Sequence, residues 1–261
     1  MTARAARPEL WAFHGFGFDP RAPLGHKDNP QSELFPLWGR MMARPIVGRG
    51  WYSVPPGLGR VLEAWRAMRP GRLSWNRYAH AWHMAADEGA ALAEVLVLQG
   101  GPVDLICHSL GSRVVLEALR LGAPNVRRVI LLDGAEHCRH AHVVAEARAE
   151  VRFLNVAVRA DGVLQWLGGL LSPVLGYRAT IGHRGLGPDA PANWLDITLD
   201  DANCQAWGRA RGWDLRGNNP KAFGDHWYSY RWPGNWPLYQ AFLDWAEPTD
   251  LINYPAPCAS T

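Results

Sequence analysis

Four apolar runs, two of them followed closely by a stretch of helical spacing, constrain this chain more than any other feature. They are ELWAF from Glu9, VDLIC from Val103, VRRVILL from Val126 and VRFLNVAV from Val151. Short, mainly apolar runs of this kind are typical of strands buried on both faces of a sheet. Ahead of VDLIC comes an alanine-rich helical segment, Ser74 to Leu98, which stops at the Gly100-Gly101 breaker. GSRVVLEALRL follows VDLIC and is closed by Gly122 and Pro124, and AHVVAEARAE follows VRRVILL. Strands alternating with helices leave a mostly parallel sheet with crossover helices, because parallel neighbours cannot be joined by a tight turn. The expected fold class is α/β, a mostly parallel sheet flanked by helices. One domain over residues 1–261 is expected, with no large separate cap domain.

The rest of the chain is less regular. Phe16 to about Arg49 is dense in proline, glycine and aromatics, and WYSVPP offers a short second strand. LDITLDD (Leu195–Asp201) alternates apolar and polar residues and predicts a last strand, and PGNWPLYQAFLDWAE a terminal helix. With 261 residues the chain can bury one large core.

Its net charge of +3 comes almost wholly from scattered arginines, Lys27 and Lys221 being the only lysines. Nucleic-acid binders concentrate basic charge on one face or in a run, so no nucleic-acid partner is expected. Cys107, Cys138, Cys204 and Cys258 are far apart with no CxxC spacing, and MTARAARPELWAF has no apolar leader core. Both predict free thiols in a reducing cytoplasm. The uncharged stretch Val163 to Tyr177 is shorter than the ~18 apolar residues of a span, and Pro173 and glycines interrupt it. A core segment or pocket wall is expected there rather than a membrane lid, and no stable membrane insertion.

The seam after VDLIC carries the chemistry. In VDLICHSLGSRVVLEAL a serine, Ser109, stands between a buried strand and a helix. A serine there serves either as a helix cap or as a nucleophile raised on a sharp turn. The turn lies at the carboxyl edge of the sheet, where α/β proteins place ligands. ELWAF ends at such an edge too, in His14-Gly15-Phe16-Gly17. CHSLG resembles the nucleophile elbow G-x-S-x-G of the α/β-hydrolase superfamily, and HGFG its oxyanion loop. Cys107 stands where that family usually has glycine.

The resemblance implies Ser109 as nucleophile, followed in chain order by an acid and then a histidine. Asp161, just beyond VRFLNVAV in ADG, fits the acid; Asp133, in LLDG after the preceding strand, is the competitor. For the base, His183 in IGHRG precedes the expected last strand, whereas His226 in GDHWYSY follows it and is succeeded by a terminal helix. The topology of the family favours His226. It also implies an oxyanion hole from the backbone N–H groups of Phe16 and Leu110, with His14 and His108 bracing the two turns.

A serine hydroxyl needs a base, and the base an orienting acid, so such a triad acts on an ester without metal or organic cofactor. A small-molecule ester is the expected substrate. The alternative is a hydrolase-fold protein that binds a ligand or partner without turnover. HCRHAH (His137 to His142) is a third signal. On a helix His137 and His140 share one face and Cys138 and His142 another, and neither pair completes a tetrahedral metal site.

Overall fold

The computed structural model describes residues 7–53, 77–164, 180–217 and 226–244. Its centre is a six-stranded sheet in which every neighbouring pair is parallel. The strands are β1 (Glu9–Phe13), β2 (Val47–Arg49), β3 (Val103–His108), β4 (Val126–Leu132), β5 (Arg152–Ala157) and β6 (Trp194–Thr198). Their order across the sheet is β2-β1-β3-β4-β5-β6. Together with the flanking helices this is an α/β-hydrolase fold.

Alternation along each strand sends side chains to two cores. Trp11, Phe13, Leu105, Cys107, Val129, Leu131 and Phe153 meet helices α2 (Arg77–Leu98), α3 (Gly111–Arg120) and α4 (Cys138–Ala147) on one face. Leu10, Ala12, Ile106, Ile130, Leu154 and Ile197 face the other way. There they meet α1 (Leu34–Met42), α6 (Ala202–Arg209) and α8 (Trp236–Asp244). Two short helices, α5 (Ile181–Arg184) and α7 (Tyr228–Arg231), and two 3-10 turns, Gly187–Asp189 and Pro233–Asn235, are the other described helical elements. Among the described residues no helix is long and apolar enough to cross a membrane.

LDIT lies in β6 and pairs parallel with β5, as the last strand of the sheet. The second described strand is Val47–Arg49; Trp51–Ser53 of WYSVPP form no strand, and the rest of that stretch lies outside the described residues. Trp51 is turned to another use: its backbone N–H donates to His14 Nε2 at 3.0 Å and its indole N–H to His14 O at 2.8 Å. The segment expected to be irregular contains α1, whose Leu34, Phe35, Trp38 and Met42 are buried.

At the amino edge of the sheet the fully buried carboxylate of Asp104 receives a two-pronged contact from Arg127, at 3.0 and 2.8 Å. Arg44 approaches it at 3.8 Å, and Arg127 also donates to the Leu243 carbonyl at 3.0 Å. A buried charge is tolerable only when paired and hydrogen-bonded in this way. The network ties β3 and β4 to α8.

Candidate active site

β3 runs out into Ser109, whose φ of 52° is left-handed. That conformation costs a residue with a side chain about 1–3 kcal/mol and persists only where surroundings impose it. Here three donors hold the Ser109 carbonyl: Ser112 N–H at 3.1 Å, Ser112 Oγ at 2.7 Å and Ala135 N–H at 3.0 Å. Two glycines let other backbone come close. A Cβ on Gly15 would stand 2.7 Å from Ser109 Cβ, and one on Gly111 would stand 2.7 Å from the His14 carbonyl oxygen. The chain after β1 is therefore pressed against the serine turn. Capping does not account for Ser109, since the N-cap of α3 is Leu110, with no side-chain bond.

Cys107, in place of the family's glycine, is fully buried with its Sγ 3.6 Å from the Ile130 carbonyl. Burial alone pushes its thiol far up. Thiolate is the reactive form, so native Cys107 is expected to resist iodoacetamide and to react only after unfolding. Rapid native alkylation, mapped by mass spectrometry, would contradict this.

His14 braces the loop after β1. Its Nδ1 donates to the Gly15 carbonyl at 2.8 Å, and its Nε2 accepts from Trp51 N–H at 3.0 Å. Trp51 also stacks on the ring, centroids 5.4 Å apart and planes within 3°. These partners fix the neutral tautomer. Burial lowers the His14 pKa from 6.5 to about 4, against the opposing pull of its two backbone bonds. Below pH 6.5 the unfolded chain therefore binds a proton that the folded one refuses. Stability is complete above pH 6.5 and falls as pH drops towards 4, by about 3 kcal/mol from this residue. Urea midpoints should decline steadily from pH 7 to 4.5; a flat profile would contradict the assignment. Phe16, the next residue but one, is 37% exposed.

The third part comes from the chain after β5 and from the segment before α8. Asp161 is buried; its Oδ1 accepts from Val163 N–H at 2.9 Å and Leu164 N–H at 3.0 Å. Its Oδ2 lies 2.5 Å from His226 Nδ1. With a carboxylate as acceptor, Nδ1 carries the proton and Nε2 keeps its lone pair. His226 Nε2 is buried and has no hydrogen-bond partner among the described residues. Asp133, also buried and left-handed at φ 45°, accepts from the Ser229 hydroxyl instead. His183 sits on α5, between β5 and β6. Of the sequence candidates, the structure brings together Asp161 and His226, and at the same edge Ser109 with Gly15. It forms no hydrogen bond between Ser109 and His226 Nε2.

Three further residues shape the site without having been singled out from sequence: Trp51, Ser112 and Ser229. Trp51 and Ser229 act through tertiary bonds, which no local pattern announces, whereas Ser112 reaches back three residues to the Ser109 carbonyl. His108, Asp133 and His226 also have one potential ligand atom each within 4.8 Å of the others. His108 Nε2 is already given to the His226 carbonyl at 3.0 Å, and Asp133 Oδ2 to Ser229. The residues of HCRHAH go to separate partners. His137 caps α4, His140 Nδ1 lies 3.1 Å from Glu136, and His142 Nε2 lies 3.0 Å from the Asp189 carbonyl. Cys138 Sγ meets the Gly185 carbonyl at 3.2 Å, its thiol pushed up to about 11 by burial. Most of the uncharged stretch Val163 to Tyr177 lies outside the described residues.

No family model matches the sequence, and no curated protein matches it. Solved structures similar to the chain include a putative YdeN-like hydrolase from Pectobacterium atrosepticum, 17% identical, with a TM-score of 0.32. That match covers 74% of this chain and 77% of the other. The product of gene lin2722 from Listeria innocua is 11% identical over 93% of this chain and 96% of its own, TM-score 0.46. YbtT, the type II thioesterase of the yersiniabactin NRPS/PKS biosynthetic pathway, is 19% identical over 97% and 95%, TM-score 0.34. At these TM-scores none of them bears on the chemistry of this chain.

Proposed function

We propose that this chain is a serine hydrolase of carboxylic esters, with Ser109 as nucleophile, His226 as general base and Asp161 as its orienting acid. One observation carries the reading: the buried 2.5 Å contact of Asp161 with His226 Nδ1, which leaves Nε2 with a lone pair and no partner. A histidine so held is poised to take a proton, and the strained serine stands at the same sheet edge.

In the reaction Ser109 Oγ bonds to the ester carbonyl carbon while its proton passes to His226 Nε2. The carbonyl electrons move to oxygen, and the N–H groups of Leu110 and Phe16 meet the oxyanion. Each such donor contributes about 10²–10³ in rate. The positive end of α3 adds to them. The intermediate collapses, the ester C–O bond breaks, and the leaving alcohol takes the proton from Nε2. Water then repeats the sequence on the acyl-enzyme, releasing the acid and restoring Ser109.

The absent Ser109–His226 hydrogen bond equally suits a protein that binds ligand without turnover. In active enzymes that bond often tightens only with substrate. A fluorophosphonate probe separates the two. A hydrolase takes up one phosphonyl group, mapped to Ser109, and loses it in Ser109→Ala; no uptake, or uptake elsewhere, overturns the reading.

A further inference from the structure

We propose that Asp133 is a second carboxylate serving His226, a positioning residue whose negative charge favours the imidazolium formed when His226 takes the Ser109 proton. The inference rests on the serine-hydrolase reading.

The placement is unusual for a carboxylate. Asp133 follows β4 directly, is 1% exposed and holds a left-handed backbone. A carboxylate oxygen of Asp133 lies within 4.8 Å of a His226 ring nitrogen. An opposite charge at that range favours the charged form of an imidazole. Asp133 also grips the segment that carries His226. Its Oδ2 accepts from Ser229 Oγ, and the Ser229 carbonyl accepts from Tyr239 Oη at 2.9 Å and Asn235 Nδ2 at 3.1 Å. An amide of the same shape would accept the Ser229 bond, so shape alone does not call for a charge.

The other groups that face His226 leave this role open to Asp133. Asp161 orients Nδ1 from the chain after β5. His108, at the end of β3, donates to the His226 carbonyl and is kept neutral mainly by burial. Arg231, on α7, is a cation near enough to act on His108. Tyr239, on α8, is held protonated by burial and then by the Asp133 charge itself.

The test is the pH profile of kcat/KM for p-nitrophenyl acetate, measured on the full chain. Asp133→Asn is expected to move the acidic limb about one unit to lower pH. It is also expected to lower kcat about tenfold while leaving KM within about twofold. Asp133→Glu, which keeps the charge, should restore much of the limb. A structural role alone would lower the folded fraction without moving the limb, so an unmoved limb in folded Asp133→Asn overturns the proposal. Should that variant not fold, Ser229→Ala decides. The carboxylate then keeps its charge and loses a donor, so the limb must stay or rise; a limb that falls overturns the proposal. Fluorophosphonate uptake by the wild type tells the two readings apart. Normal uptake with an unmoved limb sinks only the role of Asp133, whereas no uptake and no ester turnover sinks both.

Discussion

Ser109→Ala is expected to lower kcat for ester hydrolysis by about 10⁴-fold or more, with the fold intact. The size follows from the chemistry: without the hydroxyl there is no acyl-enzyme, and only substrate binding and the oxyanion donors still assist water. Stability should hardly change. The Ser109 side chain caps no helix, and the left-handed turn is held through its carbonyl, which alanine retains. Circular dichroism and the urea midpoint should match wild type while the steady-state rate collapses. Full activity in folded Ser109→Ala would remove the nucleophile and the serine-hydrolase reading with it.

Loss of the base should be nearly as severe. Triad members act as a unit, so His226→Ala is expected to lower kcat by about 10³–10⁵-fold with a small change in KM. This variant also strands a buried carboxylate, since Asp161 loses the ring 2.5 Å away. An unpartnered buried polar group costs about 1–3 kcal/mol or more, so rates must be compared at equal folded fraction. His226→Gln, which keeps a polar side chain near Asp161, provides the better-folded control. His183→Ala, on the short helix between β5 and β6, should cost less than tenfold by the same measure. If His183→Ala is the crippling change and His226→Ala is mild, the base has been misassigned.

Legibility differed between elements for physical reasons. β1, β3, β4 and β5 are buried apolar runs, and their pattern survives in one dimension. β2 has three partly exposed residues, VGR, too few to show a period. WYSVPP looked more like a strand because aromatic and β-branched residues favour sheets. Its tryptophan is spent on His14. α1 went unread because Pro36 and Gly39 interrupt it, although proline is tolerated in a first turn. The spacing of Leu34, Phe35, Trp38 and Met42 was the signal that could have revealed it. α6 had a local signal as well, the capping carboxylate of Asp201 ahead of Asn203 and Cys204.

At the proposed site, the candidates Ser109, Asp161 and His226 stood out because each sits beside an element end whose order the chain displays. Choosing between Asp161 and Asp133 needed the third dimension. Both follow a strand and both precede glycine, and only the folded chain sets one against His226 and the other against Ser229. Trp51 and Ser229 stayed hidden for the same reason, since their partners are fixed by packing rather than by spacing.

The ion network around Asp104 bears on how such a chain can diversify. The strand that carries the serine turn is tethered through Asp104, Arg127 and Arg44, five residues and about 16 Å of extended chain from Ser109. Tethering and the proposed chemistry thus occupy opposite rims of one sheet and share no side chain. Loop exchanges over the carboxyl rim can change what the proposed site would admit while the anchorage stays untouched. A library varied only in those loops should yield mostly folded members, whereas one varied around Asp104 should not. The rim that does no chemistry is what leaves the other free to change.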